Sequence, residues 1–227
     1  MNRLLLWPLT FIAVSTSVFT QESATLRSRS MLNAAGQFLF TCDGTSGSSQ
    51  VTVRAVGEPQ GQPILSHRLG DDDDCSQAVW THQIFGPDSS ATLVMVNPGR
   101  MGLNAQMETF YVDKGVVTSS GNLPVAADKV GSSQFALHLS EPGTQWVRTY
   151  EIVHGKFVVS SELGLMRSGS LCVTPSGEIL RTGGCAGKLI NAQPTRQLCI
   201  EYRGKRGQLK PRDRCSGIGA QRVKADE

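Results

Sequence analysis

The chain has 227 residues, of which 39% are hydrophobic and 6% aromatic, and it carries a formal net charge of only +3 at pH 7. This length suits one sizeable domain or two small ones. The modest apolar content favours a thin β sandwich or barrel over a deep α/β core, and the 24 glycines are consistent with many tight turns. No stretch beyond the N-terminal leader is apolar enough to span a bilayer, which argues against a membrane-spanning protein.

Residues 1–20 have the pattern of a secretory signal peptide. Arg3 supplies a positive charge, Leu4 to Val14 form a largely apolar segment, and small residues follow from Ser15 to Thr20. The apolar segment is shorter than the roughly 20 residues that a membrane-spanning helix needs, and Pro8 interrupts it. We therefore expect a cleaved leader and a product that is periplasmic or secreted.

Strand-like alternation begins after an irregular segment. Residues 21–36 are expected to form a linker or a short helix, and from residue 37 onward apolar and polar residues alternate with a period of two. The clearest case is 133–140, where Phe135, Leu137 and Leu139 point to one side. Further strands are expected at 77–85, 91–97, 105–112, 146–153 and 156–161, with turns at 97–102, 113–115, 154–156 and 174–178. Short strands separated by such turns predict an antiparallel sandwich or barrel.

Composition changes near residue 165. We expect an antiparallel β domain at 37–165, a small disulfide-stapled basic β subdomain at 166–216 and a flexible tail at 217–227. The charges between residues 196 and 214 are seven basic against two acidic: Arg196, Arg203, Lys205, Arg206, Lys210, Arg212 and Arg214 against Glu201 and Asp213. This local asymmetry is more informative than the overall charge.

All cysteines lie beyond the leader, and their number is even: Cys42, Cys75, Cys172, Cys185, Cys199 and Cys215. In an exported chain this predicts disulfides. Six cysteines permit many pairings, among which the sequential one is the leading interpretation, because a strand–turn–strand segment separates the members of each of the last two pairs. The pairs or nearby histidines of a zinc site are missing from the sequence, so structural disulfides are favoured over metal binding.

Four consecutive aspartates precede Cys75. They repel one another and need solvent, a cation or basic partners. Calcium prefers oxygen ligands, but the run lacks the Gly and Asn spacing of a calcium loop. We therefore expect a solvated acidic loop and no cofactor, with only weak candidate metal ligands in Asp71, Asp72, Asp73 and Asp74.

The sequence contains only weak signs of a catalytic site. The sequence lacks the G-x-S-x-G element of a serine hydrolase, and its histidines are His67, His82, His138 and His154. A pair of carboxylates for glycoside hydrolysis is conceivable among Glu108, Glu141, Glu151 and Glu162. Structural or surface roles are favoured for each of these residues, so a non-catalytic protein is expected.

Two groups of residues are candidates for partner binding. Trp146, Arg148 and Tyr150 fall on one face of a predicted strand, and these residue types are frequent anchors of protein interfaces. The second group is basic and comprises Arg203, Lys205 and Arg206. Nucleic acid is not an expected partner, because the basic segment offers only one aromatic residue for base stacking. A protein partner or an anionic envelope polymer fits better.

Two segments, NPGRMGLNAQMETFYVDKGVV at 97–117 and WVRTYEIVHGKFVVSSE at 146–162, combine a Gly-rich turn, an aromatic pair on a strand and a downstream hairpin. In this they resemble the exported β-rich inhibitor and immunity proteins of bacterial envelopes, which include periplasmic lysozyme inhibitors. The resemblance implies a protein that blocks a cell-wall-degrading enzyme, and it suggests SSGN at 119–122 as a loop that enters the enzyme's cleft. The acidic run lies earlier than the calcium loop of such proteins.

Two other functions remain open. One is a secreted hydrolase that acts on envelope polymers through a carboxylate pair. The other is a structural envelope protein whose basic segment binds anionic polymer.

Overall fold

A computed structural model describes residues 28–32, 36–57, 61–85, 90–102, 104–180 and 184–220. The expected signal peptide lies outside the described residues, as do the last seven residues of the expected tail. Within these ranges there are sixteen strands: β1 Ser28–Leu32, β2 Phe38–Asp43, β3 Gln50–Ala55, β4 Leu65–Arg68, β5 Val79–Phe85, β6 Ala91–Asn97, β7 Gln106–Asp113, β8 Val116–Pro124, β9 Asp128–Lys129, β10 Gln134–Glu141, β11 Thr144–Val153, β12 Lys156–Met166, β13 Gly169–Val173, β14 Lys188–Ala192, β15 Leu198–Arg203 and β16 Arg206–Lys210.

Helical structure is limited to short elements. The described residues form two 3₁₀ turns, at Cys75–Gln77 and Arg212–Cys215, and one short helix, α1, at Gly217–Ala220. A helix long and apolar enough to cross a membrane is not found in the described ranges.

The strands form three antiparallel sheets and one separate hairpin. The first sheet has the order β1-β2-β3-β4, the central sheet β5-β6-β7-β8, and the large sheet β16-β15-β12-β11-β10-β9. The β13–β14 hairpin is a separate two-stranded sheet that packs against the large sheet. The predicted mostly β, antiparallel sandwich architecture is confirmed.

The central sheet is covered on both faces. Val94 on β6 packs against the first sheet, in a cluster that contains Phe40. The preceding residue, Leu93, points the other way and packs in a cluster with Phe135 of the large sheet. Successive residues of β6 thus serve two different cores, which explains why six of the seven residues of this strand are buried. The result is a stack of three β layers.

The large sheet continues across the expected boundary near residue 165. β12 pairs with β15, in a register that places Gly164 opposite Ile200, and β15 pairs with β16. The segment 166–216 therefore contributes two strands to a sheet that begins within 37–165. The division into two folding units stays a prediction, but its boundary falls inside a continuous sheet.

Both ends of the described chain differ from expectation. The segment 21–36, expected as a linker or short helix, contains strand β1, whose backbone pairs with β2. Pairing with an open sheet edge outweighs the weak helical pattern there. The segment 217–227, expected to be flexible, begins with α1, and Ile218 of that helix is buried beside Leu165 and Cys215. Ile218 therefore anchors the start of this segment to the large sheet.

Three disulfides join the cysteines in sequential order: Cys42–Cys75, Cys172–Cys185 and Cys199–Cys215. The predicted pairing is therefore confirmed. Disulfides of this kind persist in oxidising compartments and are rare in a reducing cytosol.

Candidate functional site

A basic surface lies on β15 and β16, on the side of the large sheet that faces away from the central sheet. Side chains alternate along β15, so that Ile200 and Tyr202 pack toward the β13–β14 hairpin while Glu201 and Arg203 point to the opposite side. Residues of β16 and of the second 3₁₀ turn complete this surface. We call it the basic face and define it by Glu201, Arg203, Arg206, Lys210 and Arg214.

The basic face surrounds two adjoining depressions. The larger has a volume of about 380 Å³ and is lined by Ser161, Leu163, Glu201, Arg203, Lys210, Pro211 and Arg214. The smaller, of about 270 Å³, is lined by Glu201, Arg203, Arg206, Gln208 and Lys210. Since Glu201, Arg203 and Lys210 border both, these three residues form the centre of the site.

Glu201 organises the cations around it. Its carboxylate accepts a hydrogen bond from Arg203 Nε at 3.0 Å and lies 3.1 Å from Lys210 Nζ. Burial alone raises the pKa of Glu201, but the bonds from Lys210 and Arg203 outweigh that effect and hold the pKa below its usual value. Arg206 and Arg214 have no ion pair among the described residues, so the basic face retains an excess of positive charge.

Two local features hold the arginine side chains of the basic face in position. The chain turns between β15 and β16 at Gly204, which has φ of 59°, and this tight turn places Arg203 directly opposite Arg206. The 3₁₀ turn that carries Arg214 ends at Cys215, which is bonded to Cys199 in β15. The disulfide thereby holds Arg214 beside the sheet.

Of the three basic residues that the sequence predicted for partner binding, two border the depressions and one does not. Arg203 and Arg206 line the depressions. Lys205 is exposed in the turn between them and borders neither depression. Lys210 and Arg214 belong to the site but were not singled out, although the basic count between residues 196 and 214 included them. A two-residue turn at Gly204 and Lys205, combined with strand alternation, would have placed Lys210 on the same face as Glu201.

The aromatic candidates lie on the inner side of the large sheet. Tyr150 packs among residues between the large and central sheets, and Trp146 packs against Tyr202 with ring centroids 6.1 Å apart. Arg148 Nε donates to Glu162 Oε2 at 2.5 Å. The three candidates are half-buried and are not brought together with the basic face. Their role in binding a partner stays a prediction.

Two aromatic rings of this inner side cover glycines of neighbouring strands. Trp146 pairs across the sheet with Gly164, and Tyr202 pairs with Gly207. A Cβ atom at either glycine would overlap the ring that covers it. Covering a glycine with a cross-strand aromatic ring fills the space that a side chain would otherwise occupy.

Gly164→Ala is therefore expected to lower the free energy of unfolding by about 1–3 kcal/mol, because the Trp146 ring must leave its position. Urea denaturation followed by tryptophan fluorescence measures the change. Gly57→Ala is the matched control, since a Cβ there meets no atom of the described residues within 4 Å. An equal effect of both substitutions would contradict the packing role of Trp146.

The four aspartates do not form one acidic cluster. Asp71 pairs with Arg68 at 3.3 Å, and Asp74 accepts a hydrogen bond from Ser76 N at 2.8 Å at the start of the first 3₁₀ turn. Asp73 is only 2% exposed, which corrects the expectation of a solvated run. Across the described residues, acidic, histidine and cysteine side chains do not form a group of three or more suited to a metal ion.

Asp73 belongs to a buried charge network that joins the first and central sheets. Arg100 donates to both of its carboxylate oxygens, from Nε at 2.7 Å and from Nη2 at 2.5 Å. The same Nη2 lies 2.9 Å from Glu108 Oε1, and His67 Nε2 lies 3.2 Å from Glu108 Oε2. The hydrogen bond to Asp73 raises the pKa of Arg100 above its usual value. The network places one guanidinium between two buried carboxylates.

The segment SSGN at 119–122 is not a loop. It lies within β8, where the register against β7 shifts between Thr109 and Phe110, and Gly121 has φ of 93°. A bulge at a positive-φ glycine accounts for the turn-like composition. The expected cleft-inserting loop is therefore absent at this position, which the structure describes as a strand.

No protein-family model matches the chain, and a comparison with curated proteins finds no significant match either.

Proposed function

We propose that this chain is an exported, non-catalytic binding protein of the inhibitor or immunity type, which holds an acidic patch of an envelope-directed enzyme. The observation that carries the proposal is the basic face, whose larger depression is lined by three cationic side chains and one carboxylate. Positive surfaces attract and orient acidic partners. Ser161 and Leu163 beside the cations add hydroxyl and apolar contacts of the kind that protein interfaces contain.

The arrangement of the cations favours a protein partner over an anionic polymer. Arg203 and Lys210 border both depressions, while Arg206 and Arg214 each border one. The cations therefore surround compact hollows instead of following a line. A long polyanion is best held by an extended basic groove, whereas a compact hollow fits a carboxylate-bearing loop of a folded protein.

The environment of two glutamates supports the non-catalytic part of the proposal. Glu108 contacts Arg100 and His67, and Glu162 contacts Arg148. Glycoside hydrolysis requires one carboxyl group that donates a proton. Both carboxylates are instead engaged in ion pairs with arginine side chains of the fold.

Export is supported by the three disulfides together with the leader-like pattern of residues 1–20. An oxidising envelope compartment or the exterior would keep the Cys199–Cys215 bond intact. That bond in turn keeps the second 3₁₀ turn on the basic face.

Arg206→Glu is expected to weaken partner binding about tenfold, because it reverses a charge that borders the smaller depression. Lys188→Glu on the β13–β14 hairpin changes the net charge equally and is expected to leave affinity within about twofold. Glu201→Gln is expected to strengthen binding, since it removes the carboxylate that opposes the cations.

The experiment uses immobilised mature protein to capture partners from envelope extracts under non-reducing conditions. Affinity and enzymatic activity are then measured with each purified captured enzyme.

Three outcomes would overturn the proposal. The first is that no captured enzyme loses activity in the presence of the protein. The second is equal weakening by Arg206→Glu and Lys188→Glu, which would show that only net charge matters. The third is retention of purified anionic wall polymer without any captured enzyme, which would favour the structural alternative.

A further inference from the structure

Two β-hairpin tips lie side by side and form a cleft that shares no residue with the basic face. One tip joins β7 to β8 through Lys114 and Gly115, and the other joins β11 to β12 through His154 and Gly155. The cleft has a volume of about 420 Å³. It is lined by Tyr111, Asp113, Lys114, Val116, Thr118, Ile152, His154 and Gly155.

The two tips are held together by direct contacts. A Cβ atom on Gly155 would lie 3.2 Å from the Tyr111 ring and 3.3 Å from Thr118 Oγ1, so the backbone of one hairpin rests on side chains of the other. Lys156 Nζ also donates a hydrogen bond to the Ser119 carbonyl oxygen. These contacts make the cleft a preformed feature, which lowers the entropic cost of binding a ligand.

Both hairpin tips carry a residue that their backbone conformation disfavours. Lys114 has φ of 48° and His154 has φ of 51°, and within the described ranges they are the non-glycine residues with positive φ. Two-residue hairpin turns of this kind favour Asn or Asp followed by Gly. A lysine in this conformation costs free energy that an asparagine would largely avoid. Two such departures border one cleft, and backbone strain concentrates at functional sites.

The lining combines opposite charges with apolar surface. Asp113 supplies a carboxylate and Lys114 an ammonium group at neighbouring positions, while Ile152 and Val116 supply apolar surface. The Tyr111 hydroxyl is a further polar group that can donate a hydrogen bond at neutral pH, and burial and the Asp113 charge raise its pKa above the usual value. A ligand that matches this set carries one positive end, one negative end and an apolar middle.

We propose that the cleft between the β7–β8 and β11–β12 tips binds short zwitterionic peptides. The peptide carboxylate pairs with Lys114, its ammonium group pairs with Asp113, and its side chains cover Ile152 and Val116. Charge-assisted hydrogen bonds at both ends would orient the peptide. This site is independent of the basic face, and it gives a reason for the strained lysine.

Isothermal titration with leucyl-leucine tests the proposal on the full-length mature protein. The dipeptide is expected to bind the unsubstituted protein and to bind about tenfold more tightly than its N-acetylated, C-amidated form, which lacks both charges. Lys114→Asn is expected to weaken dipeptide binding about tenfold while raising the midpoint of thermal unfolding, because asparagine tolerates positive φ. Lys188→Asn, with the same charge change elsewhere, is expected to alter neither quantity.

A second variant tests the other end of the peptide. Asp113→Asn is expected to abolish the preference for a free amino group while retaining the preference for a free carboxylate. The proposal is overturned if the unsubstituted protein does not bind leucyl-leucine, if the capped form binds equally well, or if Lys114→Asn binds the dipeptide as tightly as the unsubstituted protein.

Discussion

Arg100→Met is expected to lower the free energy of unfolding by about 3–5 kcal/mol, because it leaves two buried carboxylates without their shared cation. Asp73 is 2% exposed and Glu108 is 5% exposed, so bulk water solvates both carboxylates poorly. Methionine resembles the arginine stem in length and keeps much of its packing. The loss therefore reports on the charge and its hydrogen bonds more than on a cavity.

Urea denaturation monitored by circular dichroism measures this effect, with Arg148→Met as the matched control. The Arg148–Glu162 pair is more open, with side chains 36% and 22% exposed, and such pairs contribute about 1 kcal/mol or less.

The triple variant Arg100→Met, Asp73→Asn, Glu108→Gln is expected to regain much of the lost stability, because no charge is then buried alone. Equal losses for Arg100→Met and Arg148→Met would show that the network does not hold the two sheets together.

The sequence alone did not reveal this network, for a physical reason. Asp73 and Arg100 are 27 positions apart and meet because two sheets stack face to face. Alternation within a strand predicts which side a residue faces, but it does not predict which sheet lies opposite. The run of four aspartates looked uniform in sequence, whereas the fold places Asp71 in an ion pair, Asp74 at a turn cap and Asp73 in the interior, and leaves Asp72 exposed.

Strand positions, in contrast, were predicted well. The expected strands at 91–97 and 133–140 correspond to Ala91–Asn97 and Gln134–Glu141, and the second of them shows the period-two alternation. The alternation follows from the local geometry of a strand, in which successive side chains point to opposite faces, so it can be recognised from the sequence alone. The three-layer stack was not predicted, although ATLVMV in β6 is an apolar run interrupted only by Thr92, which is close to the pattern of a strand buried on both faces.

The candidate site was predicted in part. Arg203 and Arg206 were identified from the density of basic residues, but Arg214 joins them only because a disulfide holds its 3₁₀ turn against β15. Trp146 and Tyr150 were expected at an interface from their residue type. Their half-buried positions depend on the β13–β14 hairpin and the central sheet, whose placement no local pattern encodes.

Removal of the Cys199–Cys215 disulfide is the second large effect that we expect. The double variant Cys199→Ala, Cys215→Ala should lower the free energy of unfolding by about 3–5 kcal/mol. The bond spans 16 residues, and both cysteines are only 1% exposed. Part of the loss comes from the greater freedom of the unfolded chain, and part from the cavity left where two sulfur atoms were packed beside Leu165 and Ile218.

The Cys172–Cys185 disulfide is the matched comparison. It spans 13 residues, so its removal frees the unfolded chain to a similar extent, but it ties the β13–β14 region and Cys185 is exposed. The double variant Cys172→Ala, Cys185→Ala should therefore lower stability by about 1–2 kcal/mol less than the Cys199–Cys215 variant. Guanidinium denaturation of both non-reduced variants gives the difference.

The two disulfides are also expected to differ in their effect on binding. The Cys199–Cys215 bond holds Arg214 at the larger depression, whereas the Cys172–Cys185 bond lies in the hairpin region on the other side of the large sheet. At a temperature where both variants remain folded, only loss of the Cys199–Cys215 bond should weaken partner binding, by about tenfold. If the Cys172–Cys185 variant lost affinity equally, the partner surface would have to include the hairpin. The basic face would then be only one part of that surface.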